Sequence, residues 1–328
     1  LRHLAASPRS VGLPYGEACT WRLPGPAHGG FGARRVVVCT PEDAFAPIVF
    51  SALDADTARE VEPAFARAGS LVFSNASAFR LEPDVPLLIP EVNSGHLDLL
   101  PVQRSVRGWT GGILTNPNCT TTMLALVLAP LHAAFGVEAV FMTSLQAASG
   151  AGWPGVPSLD LLGNVVPYVP GEESKVEAET PKLLGRCMGG RVDPATFAVS
   201  ALCHRVPVID GHTEAVSLHL KGDPPPERVR EALRDWIPEP QRRGLPSAPT
   251  PAILLHGAED RPQPRLDAEA LGGMVVHVGR IRRCPVMGIK LSLLGHNTER
   301  GAAGGSILNA EWAVAQGLTP SGAAPPTW

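Results

Sequence analysis

Cys119 lies where a polar loop meets an apolar helix. The loop Asn116-Pro117-Asn118 has turn chemistry that resists helix formation, whereas the apolar run at 123–128 predicts a helix that ends near Pro130. At a helix start, unpaired N–H groups and the positive end of the helix dipole lower the pKa of a thiol and favour the nucleophilic thiolate. A buried structural cysteine is the commoner fate of a lone Cys, but the polar neighbours argue against burial.

Ser7, Arg9 and Ser10 follow the tail of a predicted strand at the start of the chain. If this is the second strand of a dinucleotide-binding fold, its carboxyl end contacts the adenosine ribose. An acid there selects NAD, whereas an Arg with hydroxyl groups accommodates the additional phosphate of NADP. Ser7, Arg9 and Ser10 supply an Arg with hydroxyl groups, as NADP requires, although an ordinary exposed turn has the same composition.

The elements that position these residues alternate between strand and helix in the first part of the chain. The predicted strands are 34–39, 47–53, 71–75 and 85–90, and the first helix is 54–68. This order predicts an α/β fold with a doubly wound, Rossmann-like parallel sheet. Ligands of such sheets bind at the carboxyl ends of the strands. The polar residues at these ends are Ser51, Asn75, Ser77 and Asn93.

The pattern in the second part of the chain predicts a further domain, of α+β type. A helix is expected at 172–186, because its apolar residues recur on one side. A second, mixed sheet is predicted from strands at 137–145, 198–205, 215–220, 274–280 and 287–294.

The composition excludes several classes of protein. The net charge of −3 argues against a surface that binds nucleic acid or an anionic membrane. The hydrophobic residues, 44% of a chain of 328, are enough to form a large core. No apolar run approaches the length of a membrane span. The six cysteines lie far apart without a Cys-x-x-Cys pair, which disfavours a metal site or a disulfide framework. A reducing cytoplasm fits this pattern.

Five motifs in register resemble aspartate-semialdehyde dehydrogenases of the archaeal and fungal branch. The resemblance covers about residues 4 to 318, and one motif alone would be weak. The motifs are Asn-Pro-Asn-Cys-Thr-Thr at 116–121, Gln-Ala-Ala-Ser-Gly-Ala-Gly at 146–152, Glu-Thr-Pro-Lys at 179–182, Arg-Val-Pro-Val-x-Asp-Gly-His at 205–212, and His-Asn-Thr-x-Arg-Gly-Ala-Ala-Gly at 296–304.

The resemblance implies reduction of aspartyl-4-phosphate by NADPH to aspartate semialdehyde and phosphate, in lysine, threonine and methionine biosynthesis. It implies that Cys119 forms a thioester, that His212 is the acid/base residue and that Gln146 orients the acyl group. Without the motifs, His212 would be interpreted as a turn or core residue.

The resemblance also assigns the substrate-binding residues. Arg205 matches an arginine that binds the α-carboxylate, Glu179 receives the ammonium group and Lys182 the phosphate. Arg80 and Asn118 match further phosphate ligands. Considered alone, Glu179 and Lys182 would be a surface ion pair at i,i+3, and Arg205 a cation at a strand end.

For the cofactor, the resemblance implies NADP(H). Ser7, Arg9 and Ser10 match residues that contact the 2'-phosphate, while Ser149, Gly150 and Asn297 match contacts near the nicotinamide. Ser51 and Asn75, at predicted strand ends, complete the expected cofactor set. The implied domains are 1–118 plus 297–328 for NADP and 119–296 for substrate and dimerisation, in a homodimer or homotetramer.

Members of this family open with a strand, a Gly-x-x-Gly-x-x-Gly turn and a helix that bind the pyrophosphate. The sequence starts at Leu1, after the position of these elements, so we expect it to lack about 30 to 40 residues and to bind NADPH weakly. Two alternatives stay open. One is a malonyl-CoA reductase with the same Cys and His, and the other is a non-catalytic or truncated paralogue.

Overall fold

The computed structural model describes residues 1–23 and 26–318. Its strands are β1 (Ala5–Ala6), β2 (Val37–Val38), β3 (Ile48–Ser51), β4 (Leu71–Ser74), β5 (Gly112–Thr115), β6 (Val137–Gln146), β7 (Arg186–Met188), β8 (Arg191–Asp193), β9 (Ala198–Arg205), β10 (His212–Leu220), β11 (Ile253–Leu255), β12 (Val276–Cys284) and β13 (Gly288–Gly295). Its helices are α1 (Tyr15–Ala18), α2 (Pro41–Ala44), α3 (Ala55–Arg67), α4 (Pro90–Asn93), α5 (Leu99–Arg107), α6 (Cys119–Phe135), α7 (Ser158–Leu161), α8 (Glu172–Leu183), α9 (Pro226–Arg234), α10 (Glu239–Arg242), α11 (Pro264–Asp267) and α12 (Gly304–Ala315).

The first part of the chain forms parallel sheet, as predicted. Strands β3, β4 and β5 pair in that order, and β1 pairs with β2 in a separate parallel ladder. Every residue of β4 and β5 is buried, which is typical of a parallel sheet covered on both faces. The α/β, Rossmann-like class is therefore confirmed.

The strand predicted at 85–90 is wrong. Only Leu87 bridges to Thr115, and α4 begins at Pro90. Pro86 and Pro90 have no N–H group to donate to a ladder, so the segment borders β5 without becoming a strand.

The second part of the chain forms a mixed sheet with the order β11-β12-β13-β10-β6-β9. Helices α6, α8 and α9 pack against it around one large apolar core. The opposite face exposes Phe141, Leu145 and Leu202 by 40% or more of their surface. These three share a face because Leu202 is paired with Thr143, two residues from each of the others.

Helix α6 begins at Cys119, as the sequence predicts, and Asn118 caps it by accepting the N–H of Thr121 at 3.1 Å. Its predicted end is wrong, because the helix continues through Pro130 to Phe135. Nearly the whole helix is buried, and this tertiary packing outweighs the hydrogen bond that Pro130 removes.

A π-helical turn, Glu299–Ala303, leads into α12 and lies against the start of α6. Arg300 in this turn forms a fully buried, two-point ion pair with Glu91 of α4, with both N–O distances at 2.8 Å. None of the described helices is long and apolar enough to cross a bilayer.

Candidate active site

A cavity of about 690 Å³ opens between the three-stranded parallel sheet β3-β4-β5 and the mixed sheet. Three strand ends converge here, because Gln146 and Arg205 are register partners at the ends of β6 and β9, and His212 begins the adjacent antiparallel strand β10. The cavity is lined by nine of the predicted site residues, namely Asn75, Arg80, Asn118, Cys119, Gln146, Ser149, Gly150, Arg205 and Asn297.

Cys119 and His212 are in direct contact, with 3.4 Å between Sγ and Nε2. The other ring nitrogen, Nδ1, accepts the backbone N–H of Ala147 at 3.1 Å. A neutral imidazole with an acceptor at Nδ1 carries its proton on Nε2. His212 therefore faces the sulfur as a proton donor.

The pKa of Cys119 contradicts the expectation from the sequence. Burial, followed by the nearby Glu172 carboxylate, raises the pKa of the thiol to about 12. The N–H of Thr120 at the helix start and the charge of Arg80 lower the pKa, as the helix argument requires, but they do not offset burial. The thiol is therefore protonated at neutral pH when the cavity holds no substrate.

His212 is fully buried, and this burial lowers its pKa to about 3, with the Arg205 and His296 charges acting in the same direction. The imidazole is therefore neutral across the physiological pH range. The resting pair is a neutral thiol beside a neutral imidazole.

Glu172 lies at the centre of a polar network on the cavity wall. Its Oε1 accepts the side-chain amide N–H groups of Asn118 at 2.6 Å and Gln146 at 3.2 Å. Gln146 also donates to the hydroxyl of Thr120 at 2.9 Å. Both predicted amides are thus fixed beside Cys119 by one carboxylate.

Two arginines give the cavity wall positive charge. Arg205 donates from Nη1 to the carbonyl of Ala147 at 2.7 Å, which orients its guanidinium toward the Cys119 site. A side chain at Gly150 would come within 2.7 Å of this Nη1, so the close approach requires glycine there. Arg80 lines the same cavity from the loop after β4.

The structure does not bring Glu179 and Lys182 to the cavity. Glu172 and Lys175, in the first turn of the same helix, line it instead. Both pairs have i,i+3 spacing and lie seven residues apart, which is two turns of α-helix, so they share a face about 10 Å apart along the axis. The sequence prediction selected the pair that does not line the cavity, although the repeated Glu-x-x-Lys spacing was a signal for the pair that does.

The predicted cofactor residues fall into two groups. Asn297 donates to the Ser149 hydroxyl at 2.8 Å and accepts the N–H of Gly211 at 2.9 Å, so it links the loop before His212 to the cavity wall. Asn75 also lines the cavity.

The second group lies outside the cavity lining. Ser7 and Arg9 are exposed in the turn after β1, where the N–H of Ser10 bonds the carbonyl of Ser7 at 2.9 Å. Ser51 is buried at the carboxyl end of β3, and its hydroxyl has no hydrogen-bond partner among the described residues. An unpaired hydroxyl at a strand end fits a polar ligand such as a dinucleotide.

One cluster of potential metal ligands, His256, Asp267 and His277, lies apart from this cavity. Asp267 receives the guanidinium of Arg261 on both oxygens, with Arg261 Nε at 2.8 Å. Because both carboxylate oxygens are already engaged by a cation, the geometry favours an ion-paired support over a metal site.

Comparison with known proteins agrees with this geometry. Residues 1–100 match the family described as semialdehyde dehydrogenase, NAD binding domain, and residues 128–300 match semialdehyde dehydrogenase, dimerisation domain. The aspartate-semialdehyde dehydrogenase of Methanothermobacter thermautotrophicus is 51% identical over 95% of this chain and 90% of its own. The aspartate-semialdehyde dehydrogenase of Cryptococcus neoformans is 47% identical over 97% of this chain and 90% of its own.

A crystal structure of aspartate semialdehyde dehydrogenase with NADP from Candida albicans superimposes with a TM-score of 0.89 at 40% identity, over 97% of this chain and 92% of that one. Fold and site together define a semialdehyde dehydrogenase with a cysteine and a histidine in contact. Within that class, the chain belongs to the aspartate-semialdehyde dehydrogenase family.

Proposed function

We propose that the chain reduces aspartyl-4-phosphate with NADPH to aspartate 4-semialdehyde and phosphate, in the biosynthesis of lysine, threonine and methionine. One observation carries the proposal: the Cys119–His212 pair opens into a cavity with three cations and one carboxylate, Arg80, Lys175, Arg205 and Glu172. An aspartyl phosphate carries a carboxylate, an ammonium and a phosphate of about two negative charges. The charged groups of the lining therefore complement those of the substrate in sign.

Cys119 is the nucleophile in this proposal. Its thiolate attacks the acyl carbon, a carbon–sulfur bond forms, the carbon–oxygen bond to phosphate breaks, and phosphate leaves. NADPH, when bound, supplies the hydride that converts the thioester to the aldehyde and releases the thiolate. The resting thiol is neutral, and the proton that it loses in the substrate complex is taken up by the leaving phosphate, which departs as hydrogen phosphate.

His212 acts as a donor through Nε2. This N–H stabilises the thiolate when it forms, and it is close enough to Sγ to donate a hydrogen bond to the oxygen of the adduct at the attacked carbon. The backbone N–H of Ala147 fixes the tautomer that makes this possible.

Each charged group of the substrate is assigned to a residue of opposite charge. Arg205 binds the α-carboxylate, and Glu172, the one carboxylate in the cavity lining, binds the ammonium group. Arg80 and Lys175 bind the phosphate, with the amide of Asn118 beside the nucleophile. Ser7, Arg9, Ser10, Ser51, Asn75, Ser149, Gly150 and Asn297 are the residues proposed to hold the cofactor.

We also propose the domain division 1–118 with 297–328 and 119–296. Its support is that β3, β4 and β5 fall in the first domain and all strands of the mixed sheet in the second; residues 319–328 lie outside the described part of the chain. We propose a cytoplasmic homodimer in which the exposed face of the mixed sheet meets its copy. Support comes from the apolar Phe141, Leu145 and Leu202 on that face and from the match of 128–300 to a dimerisation domain.

The test is oxidation of aspartate semialdehyde with NADP, followed at 340 nm with and without phosphate. The proposal requires phosphate, because the thioester of Cys119 can leave the enzyme as the acyl phosphate only by phosphorolysis. A malonyl-CoA reductase would instead require coenzyme A. Cys119→Ser should abolish turnover, and normal turnover by this variant would exclude the proposal.

A further inference from the structure

Helix α8 carries a second Glu–Lys pair whose function the cavity does not explain. Glu179 and Lys182 are only 2% and 7% exposed, and neither lines the cavity. Buried charges are costly unless they are paired and hydrogen-bonded, so their partners indicate what they hold in place.

All three N–H groups of the Lys182 ammonium are used on one loop. Nζ donates to the carbonyls of Arg80 at 2.7 Å, Glu82 at 2.8 Å and Val85 at 3.1 Å. Residues 80–85 of the loop after β4 are thereby fastened to α8. No N–H of this ammonium is left for a substrate.

Glu179 holds the side chain of the same arginine. Its Oε1 accepts from Arg80 Nη1 at 3.1 Å, and its Oε2 accepts the backbone N–H of Asn118 at 2.6 Å. Arg80 Nη2 donates to the carbonyl of Asn75 at 2.8 Å. The guanidinium is thus oriented from two sides and tied to the residue that precedes the nucleophile.

These bonds use two of the five N–H groups of Arg80. Its buried Nε has no hydrogen-bond partner among the described residues, although the side chain lines the cavity. One N–H on each of Nη1 and Nη2 is therefore left to donate to an anion in the cavity.

We propose that Lys182 and Glu179 are positioning residues for Arg80, which they hold as a preformed fork for the substrate phosphate. This inference rests on the proposed function. Because a free Arg side chain loses rotamer entropy when it binds an anion, fixing it in the folded protein removes that cost from phosphate binding. Glu179 and Lys182 act behind the cavity, while Glu172 and Lys175 act within it.

The first experiment measures binding of inorganic phosphate to the full chain by isothermal titration calorimetry. Lys182→Met should weaken phosphate binding about tenfold in the wild-type background but less than about twofold in an Arg80→Ala background. The two effects should not add, because both changes act on the same phosphate-binding group, the guanidinium of Arg80. Glu177→Gln is the matched control. It lies on the same helix, and its Oε1 accepts the N–H of Ala201 at 3.1 Å, away from the Arg80 loop.

The second experiment measures turnover of the same variants. The KM for phosphate should rise about tenfold in Lys182→Met, while the KM for semialdehyde and kcat change less than about twofold. A general loss of structure would change all three constants together. If Lys182→Met does not fold, as judged by circular dichroism, Lys182→Gln keeps two N–H donors on a shorter side chain and should show the same split at a smaller size.

Three results would overturn the positioning role. They are unchanged phosphate binding in Lys182→Met, an equal loss in the Arg80→Ala background, and equal changes in all three kinetic constants of a folded variant. Phosphate-dependent turnover by the wild-type chain tests the proposed function separately. If Lys182→Met binds phosphate normally and turnover by the wild-type chain depends on phosphate, only the positioning role is excluded. If turnover by the wild-type chain does not depend on phosphate, both the positioning role and the proposed function are excluded.

Discussion

At the scale of single residues, Cys119 and His212 show how contact and ionisation are decided separately. The two side chains meet at 3.4 Å, yet burial raises the pKa of the thiol to about 12 and lowers that of the imidazole to about 3. Both shifts favour neutral forms, because removing either group from water penalises its charged state. The helix start acts in the opposite direction at Cys119, but its effect is the smaller one.

This difference predicts the pH dependence of alkylation by iodoacetamide in the free enzyme. The rate at Cys119 should rise about tenfold per pH unit up to at least pH 10, because the reactive thiolate stays a small fraction below a pKa of about 12. Peptide mass spectrometry can follow each cysteine separately.

Cys284 is the internal control for this experiment. The N–H of Met287 lowers the pKa of its thiol, so its alkylation rate should level off at a lower pH than the rate at Cys119. A rate at Cys119 that is already constant from pH 6 to 8 would contradict the neutral pair and indicate a thiolate–imidazolium pair.

Gly301 should be indispensable for activity. A Cβ at this position would lie 2.5 Å from the Cβ of Cys119, so Gly301→Ala must displace the π-helical turn or the nucleophile. We expect kcat to fall by about 10- to 100-fold, since small displacements of reacting groups have effects of this size. Steady-state kinetics on Gly257→Ala, where an added Cβ meets nothing within 4 Å, supplies the control. Equal kcat values for both variants would refute the argument.

At the scale of elements, the sequence predicted the start of α6, the parallel strands and the mixed sheet, because apolar periodicity and turn residues are local signals. It did not predict the end of α6, where buried packing overrides Pro130. It also assigned the charged groups of the substrate to Glu179 and Lys182, two helical turns beyond the pair on α8 that lines the cavity. Glu179 and Glu172 have the same local pattern, and only the position of the cavity distinguishes them.

The turn behind Cys119 depends on the buried pair between Glu91 and Arg300. Glu91→Gln leaves a buried guanidinium without its counter-ion, so the free energy of unfolding should fall by about 3 to 5 kcal/mol. Urea denaturation monitored by circular dichroism measures this change.

The control for this pair is Glu239→Gln. Glu239 pairs with Arg243 at the surface, where such a pair contributes about 0 to 1 kcal/mol. A loss at Glu91 no larger than the loss at Glu239 would show that the buried pair does not anchor the turn.

At the scale of the whole molecule, the mixed sheet has one covered face and one open face. Leu202→Asp places a charge on the open apolar face and should convert the oligomer to a monomer of 34.5 kDa in light scattering after size exclusion. Val106→Asp alters another exposed apolar residue, on α5 outside the sheet, and should leave the mass of the oligomer unchanged. A wild-type mass retained by Leu202→Asp would place the interface elsewhere.

The neutral thiol of Cys119 has a consequence for survival under oxidative stress. Peroxide reacts with thiolates, and a group with a pKa of about 12 is ionised in only about one molecule in 100,000 at pH 7. We therefore expect peroxide to convert Cys119 of the free enzyme to sulfenic acid only slowly, because the thiol and not the thiolate is the prevailing form there.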